Sequence, residues 1–260
     1  MSIELLDLAR AIALEAGDLA RRRRAEGVRI AASKSTLADI VTDADREVEA
    51  LIRDRLASER PGDGFLGEES DAADGTTGIT WVVDPIDGTV NYASGMPSYA
   101  VSIAALRDGE ALAGVVRAPV LGETFVAARG EGSFLEAGGE PQRLQVTAEQ
   151  PAGALIATGF GYDPATHAGD IATVQAVMPL ARDVRRIGAA SIDLSYVAAG
   201  RLDAYFERGL KPWDVAAGSL IVAEAGGAVL TLDADVFGRE MTVAAHPDLA
   251  RRIADRVEAE

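Results

Sequence analysis

A chain of 260 residues, 48% hydrophobic, can bury one large core or two closely packed ones, and a net charge of −16 argues against a nucleic-acid-binding surface. No apolar run reaches the roughly 20 residues needed to span a bilayer. The opening Met1-Ser2-Ile3-Glu4-Leu5 lacks the basic start of a signal peptide, and a chain without cysteine has no disulfide and no thiolate metal site; the expectation is a cytoplasmic protein with neither a membrane nor a nucleic-acid partner.

In chain order, residues 3–24 carry Leu5, Leu8, Ile12 and Leu19 at helical spacing and read as an amphipathic helix. Its end holds Arg21-Arg22-Arg23-Arg24, where cations favour the helix dipole, and reads as a solvated helix terminus. Residues 25–40 read as a loop rich in Ser and Thr. A second helix is predicted from Asp43 to about Arg60, ended by Pro61-Gly62-Asp63-Gly64. Short strands follow at 65–67 and 79–83, then a run of β-like stretches at 98–106, 111–117, 124–128 and 143–146, with hairpin turns at Asp108-Gly109 and Gly138-Gly139. Beyond a polar connector at 147–151 the pattern alternates: strand 154–158, helix 168–181, strand 184–187, helix 191–199, strand 202–206, helix 213–225, strand 228–232, helix 247–258. Such alternation predicts α/β layering. The reading divides the chain into an N-terminal α+β half, residues 1–147, and a C-terminal α/β half, residues 148–260, joined in one catalytic unit.

The segment with the most specific chemistry is Trp81-Val82-Val83-Asp84-Pro85-Ile86-Asp87-Gly88-Thr89. A buried strand ends at Asp84, and Pro85 biases that residue toward extended backbone. Asp87-Gly88-Thr89 fits a helix start with Asp87 as cap, where free N–H groups suit a phosphate. Three further acid-bearing segments are Gly67-Glu68-Glu69-Ser70, Asp39-Ile40-Val41-Thr42-Asp43-Ala44-Asp45, and Lys211-Pro212-Trp213-Asp214. Each has an ordinary reading as a cap or an acidic turn. Together they offer oxygen-only ligands, which suit Mg²⁺, Mn²⁺ or Ca²⁺ rather than zinc. The two lysines of the chain, Lys34 and Lys211, both fall beside these motifs. Tyr92, Met96 and Tyr99 are expected near the mouth of the site, and His167 and His246 on the surface. Thr158-Gly159-Phe160-Gly161-Tyr162 ends a strand and reads either as a substrate border or as a plain left-handed turn.

Gly67-Glu68-Glu69-Ser70, Asp84-Pro85-Ile86-Asp87-Gly88-Thr89-Val90-Asn91 and Trp213-Asp214-Val215-Ala216-Ala217-Gly218, with Lys34 through Asp45, resemble the motifs of the inositol monophosphatase family, and the similarity runs over nearly the whole chain. The resemblance implies a five-layer αβαβα sandwich, usually dimeric and often lithium-sensitive. It implies a Mg²⁺-dependent hydrolase acting on a small polyol or sugar phosphomonoester, above all inositol monophosphate, through metal-activated water, with two or three Mg²⁺ per site. It assigns Glu68, Asp84 and the Ile86 carbonyl to one Mg²⁺, Asp84, Asp87 and Asp214 to a second, and a weaker third near Glu68. It gives Thr89 and Asp45 the activation of water, and Gly88 and Thr89 the phosphate. Substrate contacts are expected at Asp87, Gly188, Ala190, Ser191, Glu207 and Asp214. The helix start at Gly188-Ala189-Ala190-Ser191 offers free N–H groups and the Ser191 hydroxyl, and Glu207 either accepts from a polyol or pairs with Arg208 or Lys211. Residues 31–40 are expected to form a flap that closes Lys34 over the phosphate. Histidinol phosphate, fructose 1,6-bisphosphate and phosphoadenosine phosphate are alternative substrates; a regulatory or binding protein that keeps the fold is the alternative of another class.

Overall fold

Leu5, Ala9, Ile12, Ala13, Ala16 and Ala20 fall on one face at helical spacing and form the buried stripe of helix α1 (Ser2–Glu26). The structure, a computed structural model, describes residues 1–28, 30–33, 40–148 and 151–258. After α1, strands β1 (Ile30–Ser33) and β2 (Ile40–Thr42) pair antiparallel, so part of the expected loop is a short β-ribbon. Helix α2 (Asp43–Glu59) packs Val48, Ile52 and Leu56 beside α1. Burying a side chain such as Ile12 or Ile52 stabilises the fold by about 1.5–3 kcal/mol. The arginine run is only partly solvated: Arg24 Nε donates to Tyr92 O at 3.1 Å and its guanidinium lies 5.6 Å from the Tyr99 ring centre.

Strands β3 (Gly64–Gly67) and β4 (Ile79–Asp87) are parallel neighbours. The short helix α3 (Thr89–Ser94) leads into an antiparallel meander of β5 (Ala100–Arg107), β6 (Glu110–Ala118), β7 (Glu123–Ala128), β8 (Gly132–Glu136) and β9 (Gln142–Arg143). These seven strands form one sheet in sequential order. Both faces are buried. On β5, Val101, Ile103 and Ala105 point to α1 and α2, while Ala100 and Ala104 point to a second helical layer.

The C-terminal half contributes β10 (Ala154–Thr158), α4 (His167–Val177), β11 (Ala181–Arg185), α5 (Ala190–Ala198), β12 (Ala204–Arg208), α6 (Pro212–Glu224), β13 (Ala228–Leu232), β14 (Met241–Ala245) and α7 (Pro247–Glu258). Its sheet runs β11-β10-β12-β14-β13. Strands β10, β11 and β12 are parallel, whereas β14 lies antiparallel to both β12 and β13. Helices α5 and α6 lie between the two sheets, and α4 and α7 cover the far face. The order is therefore α1/α2, seven strands, α5/α6, five strands, α4/α7, which is the five-layer αβαβα arrangement expected.

Several sequence expectations are corrected. β8 and β14 were not foreseen, the strand expected at 143–146 is only the two-residue β9, and β11 begins at Ala181, before the expected 184–187. Tyr92 and Tyr99 do not border the site: both are fully buried, stacked edge-to-face at 4.9 Å, with the Tyr92 hydroxyl donating to Ala20 O.

Candidate active site and metal centre

Along a regular strand, residues 84 and 87 would face opposite sides of the sheet. Against β5, however, Asp84 pairs with Ser102 and Asp87 with Ala100, so β4 carries one more residue than its partner between these points. Such a bulge re-aims side chains, and here it brings both carboxylates to one side. The Asp84 carboxylate accepts from Ile86 N at 3.0 Å, which holds the bulged turn across Pro85. Asp214 arrives from the first turn of α6, where its carboxylate accepts from Lys211 N at 2.6 Å. The Ser102 hydroxyl donates to Trp213 O and ties this helix start to β5. Oxygen atoms of Asp84, Asp87 and Asp214 then lie within 4.8 Å of one another.

Glu68 lines the same cavity from the end of β3, and its backbone N–H donates to Val83 O. The loop carrying it is held by a residue that sequence reading missed, buried Glu49, whose carboxylate accepts from Glu69 N at 2.8 Å. A Cβ at Gly67 would overlap that same carboxylate.

Burial holds the Asp84 carboxyl well above its ordinary range, and the charges of Glu68, Asp87 and Asp214 push it further. Asp214 is raised for the same reason, by burial and then by Asp87. Asp87 is raised less steeply because Ser191 and the start of α5 donate to it. Crowded, buried carboxylates repel one another unless protons or a cation intervene. The donor set is all oxygen, with the Ile86 carbonyl adjacent and no histidine lining the cavity, and so fits a hard divalent cation.

Asp87 does not cap the following helix. The cap of α3 is Gly88, in the left-handed region at φ 89°, where a Cβ would come within 3.0 Å of Ser98 O and 3.1 Å of Gly188 O. Asp87 instead accepts from Ala190 N at 3.2 Å, Ser191 N at 2.7 Å and the Ser191 hydroxyl at 2.5 Å, capping α5 from across the layers. This corrects the expectation for Ser191: its donors and the Ala190 N–H are already engaged, and Ser191 is wholly buried. Gly188, Ala189 and Ala190 do line the cavity. Asn91 secures the same junction, donating to Ser98 O and Ile187 O at 2.8 Å each.

Thr42, not Asp43, caps α2, and Asp45 accepts from both its backbone N–H and its hydroxyl. That leaves the other Asp45 oxygen to the Thr89 hydroxyl at 3.1 Å. Thr89 Oγ1 is equally 3.1 Å from Ile86 O, so one proton has two acceptors. Asp45 is wholly buried, which raises its affinity for a proton.

Across a cavity of about 480 Å³, Glu207 stands on β12. It pairs with neither Arg208 nor Lys211; its carboxylate accepts from the Tyr205 hydroxyl at 2.6 Å. Burial pushes its pKa up to about 7, against the pull of Tyr205 and Arg186. Phe160, Gly161, Tyr162, Arg186, Lys211 and Trp213 complete much of the wall. The 158–162 segment thus borders the cavity, and Gly159 is not in a left-handed turn. Arg186 was missed because an exposed arginine after a strand carries no local signal. Lys34 lies outside the described residues. His167 and His246 are not among the lining residues.

The model of the inositol monophosphatase family matches residues 2–260. This chain belongs to that family. An inositol-1-monophosphatase of Mycobacterium leprae is 44% identical over 264 residues, covering 95% of this chain and 91% of that protein. Among solved structures, Mycobacterium tuberculosis SuhB superposes with a TM-score of 0.84 at 42% identity, covering 99% of this chain and 96% of that one. The extragenic suppressor protein suhB of Bartonella henselae gives a TM-score of 0.88 at 35% identity, covering 98% of each chain. Membership makes the chain a phosphatase-class hydrolase, and the acidic cluster is where a metal-dependent phosphatase of this family could hold its metal. Among the described residues no helix is long and apolar enough to cross a membrane.

Proposed function

We propose that the protein hydrolyses a small polyol phosphomonoester, inositol monophosphate first among candidates, with Mg²⁺ held by Asp84, Asp87 and Asp214 and by Glu68 and the Ile86 carbonyl beside them. The observation that carries this reading is the meeting, in one cavity, of an acidic cluster, the glycine turn at Gly88, the Asp45–Thr89 pair and a carboxylate on the opposite wall. Bound there, Mg²⁺ would neutralise phosphate charge and lower the pKa of water.

The chain's own residues do the rest. Gly88 and Thr89 line the cavity, where their backbone N–H groups would donate to a phosphate. Thr89 takes a proton from the attacking water as it passes its own to Asp45, whose second oxygen is fixed by Thr42. Sending that proton to Asp45 frees the Ile86 carbonyl for a cation. Glu207 accepts from a ring hydroxyl, and the small side chains of Ala189 and Ala190 leave room for the ring.

The test is phosphate release in Mg²⁺ from inositol monophosphate, histidinol phosphate, fructose 1,6-bisphosphate and phosphoadenosine phosphate. Inositol monophosphate should give the highest kcat/KM, and Asp84→Asn should lower turnover by about a hundredfold or more while the fold persists by circular dichroism. Near-native turnover of that variant would show that the assigned acids are not the metal site, and preference for another substrate would displace the polyol reading.

A further inference from the structure

Two residues near the cavity have no part in the chemistry above, and both touch Glu207. Tyr205 is fully buried, two residues before Glu207 on β12 and so on the same face of the sheet. Its hydroxyl donates to Glu207 Oε2. Gly159 follows the end of β10, which runs parallel to β12 with Thr158 in register with Phe206. A Cβ at 159 would overlap the Glu207 carboxylate. The backbone of Gly159 is not left-handed, so space for that carboxylate, rather than conformation, demands the glycine.

The carboxylate is thus bonded through one oxygen and wedged against the chain at Gly159. Among the described residues Oε1 accepts no hydrogen bond from the protein. We propose that Tyr205 and Gly159 are positioning residues that fix the Glu207 carboxylate with Oε1 offered to a substrate hydroxyl, so that selectivity for hydroxyl-bearing phosphomonoesters depends on all three residues. This rests on the reading of Glu207 as the polyol contact.

The surroundings explain why an unanchored carboxylate would not serve. Arg186 favours its charged form, while burial and the charges of Asp87 and Asp170 oppose it. Tyr162, Asp193 and Asp214 also feel its charge. A hydroxyl donating to a carboxylate stabilises the ionised, accepting state. Without Tyr205 the group would both turn and hold its proton to higher pH.

The experiment compares inositol monophosphate with 4-nitrophenyl phosphate, which has no alcohol hydroxyl, in the full chain with Mg²⁺. Tyr205→Phe should raise KM for the polyol about three- to tenfold. The loss on the aryl ester should be at least threefold smaller. The acid limb of the polyol kcat/KM profile should move to higher pH. Gly159→Ala should show the same selective loss, and Tyr205→Phe should add nothing in a Glu207→Ala background, where no acceptor remains for the tyrosine. Equal losses on both substrates, an unmoved pH profile, or full additivity with Glu207→Ala would overturn the proposal. If Gly159→Ala does not fold, Tyr205→Phe and the double variant still decide it. A Glu207→Gln variant indistinguishable from wild type on both substrates would instead remove the underlying reading, and this proposal with it.

Discussion

Replacing Glu207 by Gln removes a charge from the cavity wall while leaving a carbonyl oxygen to accept from Tyr205, so its effect on stability isolates the cost of that charge. The carboxyl moves from an ordinary 4.5 to about 7 on folding. At about 1.36 kcal/mol per pH unit, this corresponds to about 3.4 kcal/mol as an upper bound. Glu207 is half-buried and meets cavity water, so about 1–3 kcal/mol is expected. The folded state holds this proton more tightly than the unfolded state. Its contribution is therefore fully present below about pH 4.5 and is lost as pH rises through about 7. The metal-free Gln variant should be more stable than wild type near pH 8 by that amount, and the two should converge near pH 4.5. Urea unfolding in the presence of a chelator, at both pH values, measures the difference. The acids of the metal cluster titrate in both proteins and cancel. A pH-independent difference, or a variant less stable than wild type near pH 8, would refute the reasoning.

Thr89→Ala and Asp45→Asn each break one proton path, so each should lower kcat by about a hundredfold or more, with the double variant little worse than either, read in steady-state kinetics. Gly88→Ala meets both a left-handed backbone at φ 89° and contacts of 3.0–3.1 Å, and should lose about 1–3 kcal/mol of stability in denaturant titration together with its activity.

The residues of the acidic cluster were legible in the sequence because the strand–Asp-Pro-Ile-Asp-Gly-Thr–helix segment is locally dense in chemistry. How they converge was not. The extra residue in β4 that turns Asp84 and Asp87 to one side exists only in the pairing with β5, and no local pattern announces it. The same holds for Asp87 as the cap of α5: its partners lie more than 100 residues away, so a nearby helix start was the natural reading. Strand β14 escaped because Met241-Thr242-Val243-Ala244-Ala245 is short and ends in small residues, yet it is the strand that makes the second sheet mixed. Gly159 read as turn punctuation because the group that requires its missing side chain sits on another strand.

The middle helical layer also bears on how the chain is made. The seven-stranded sheet is complete by Arg143, but the side bearing Ala100, Ala104, Val116 and Phe125 is covered by α5 and α6, which end at Glu224. At about 5–20 residues per second, a ribosome needs on the order of 4–16 s to supply that cover. A sheet that assembled ahead of α5 and α6 would carry one bare apolar side for that interval, and elongation rate would then set how long that side stays uncovered.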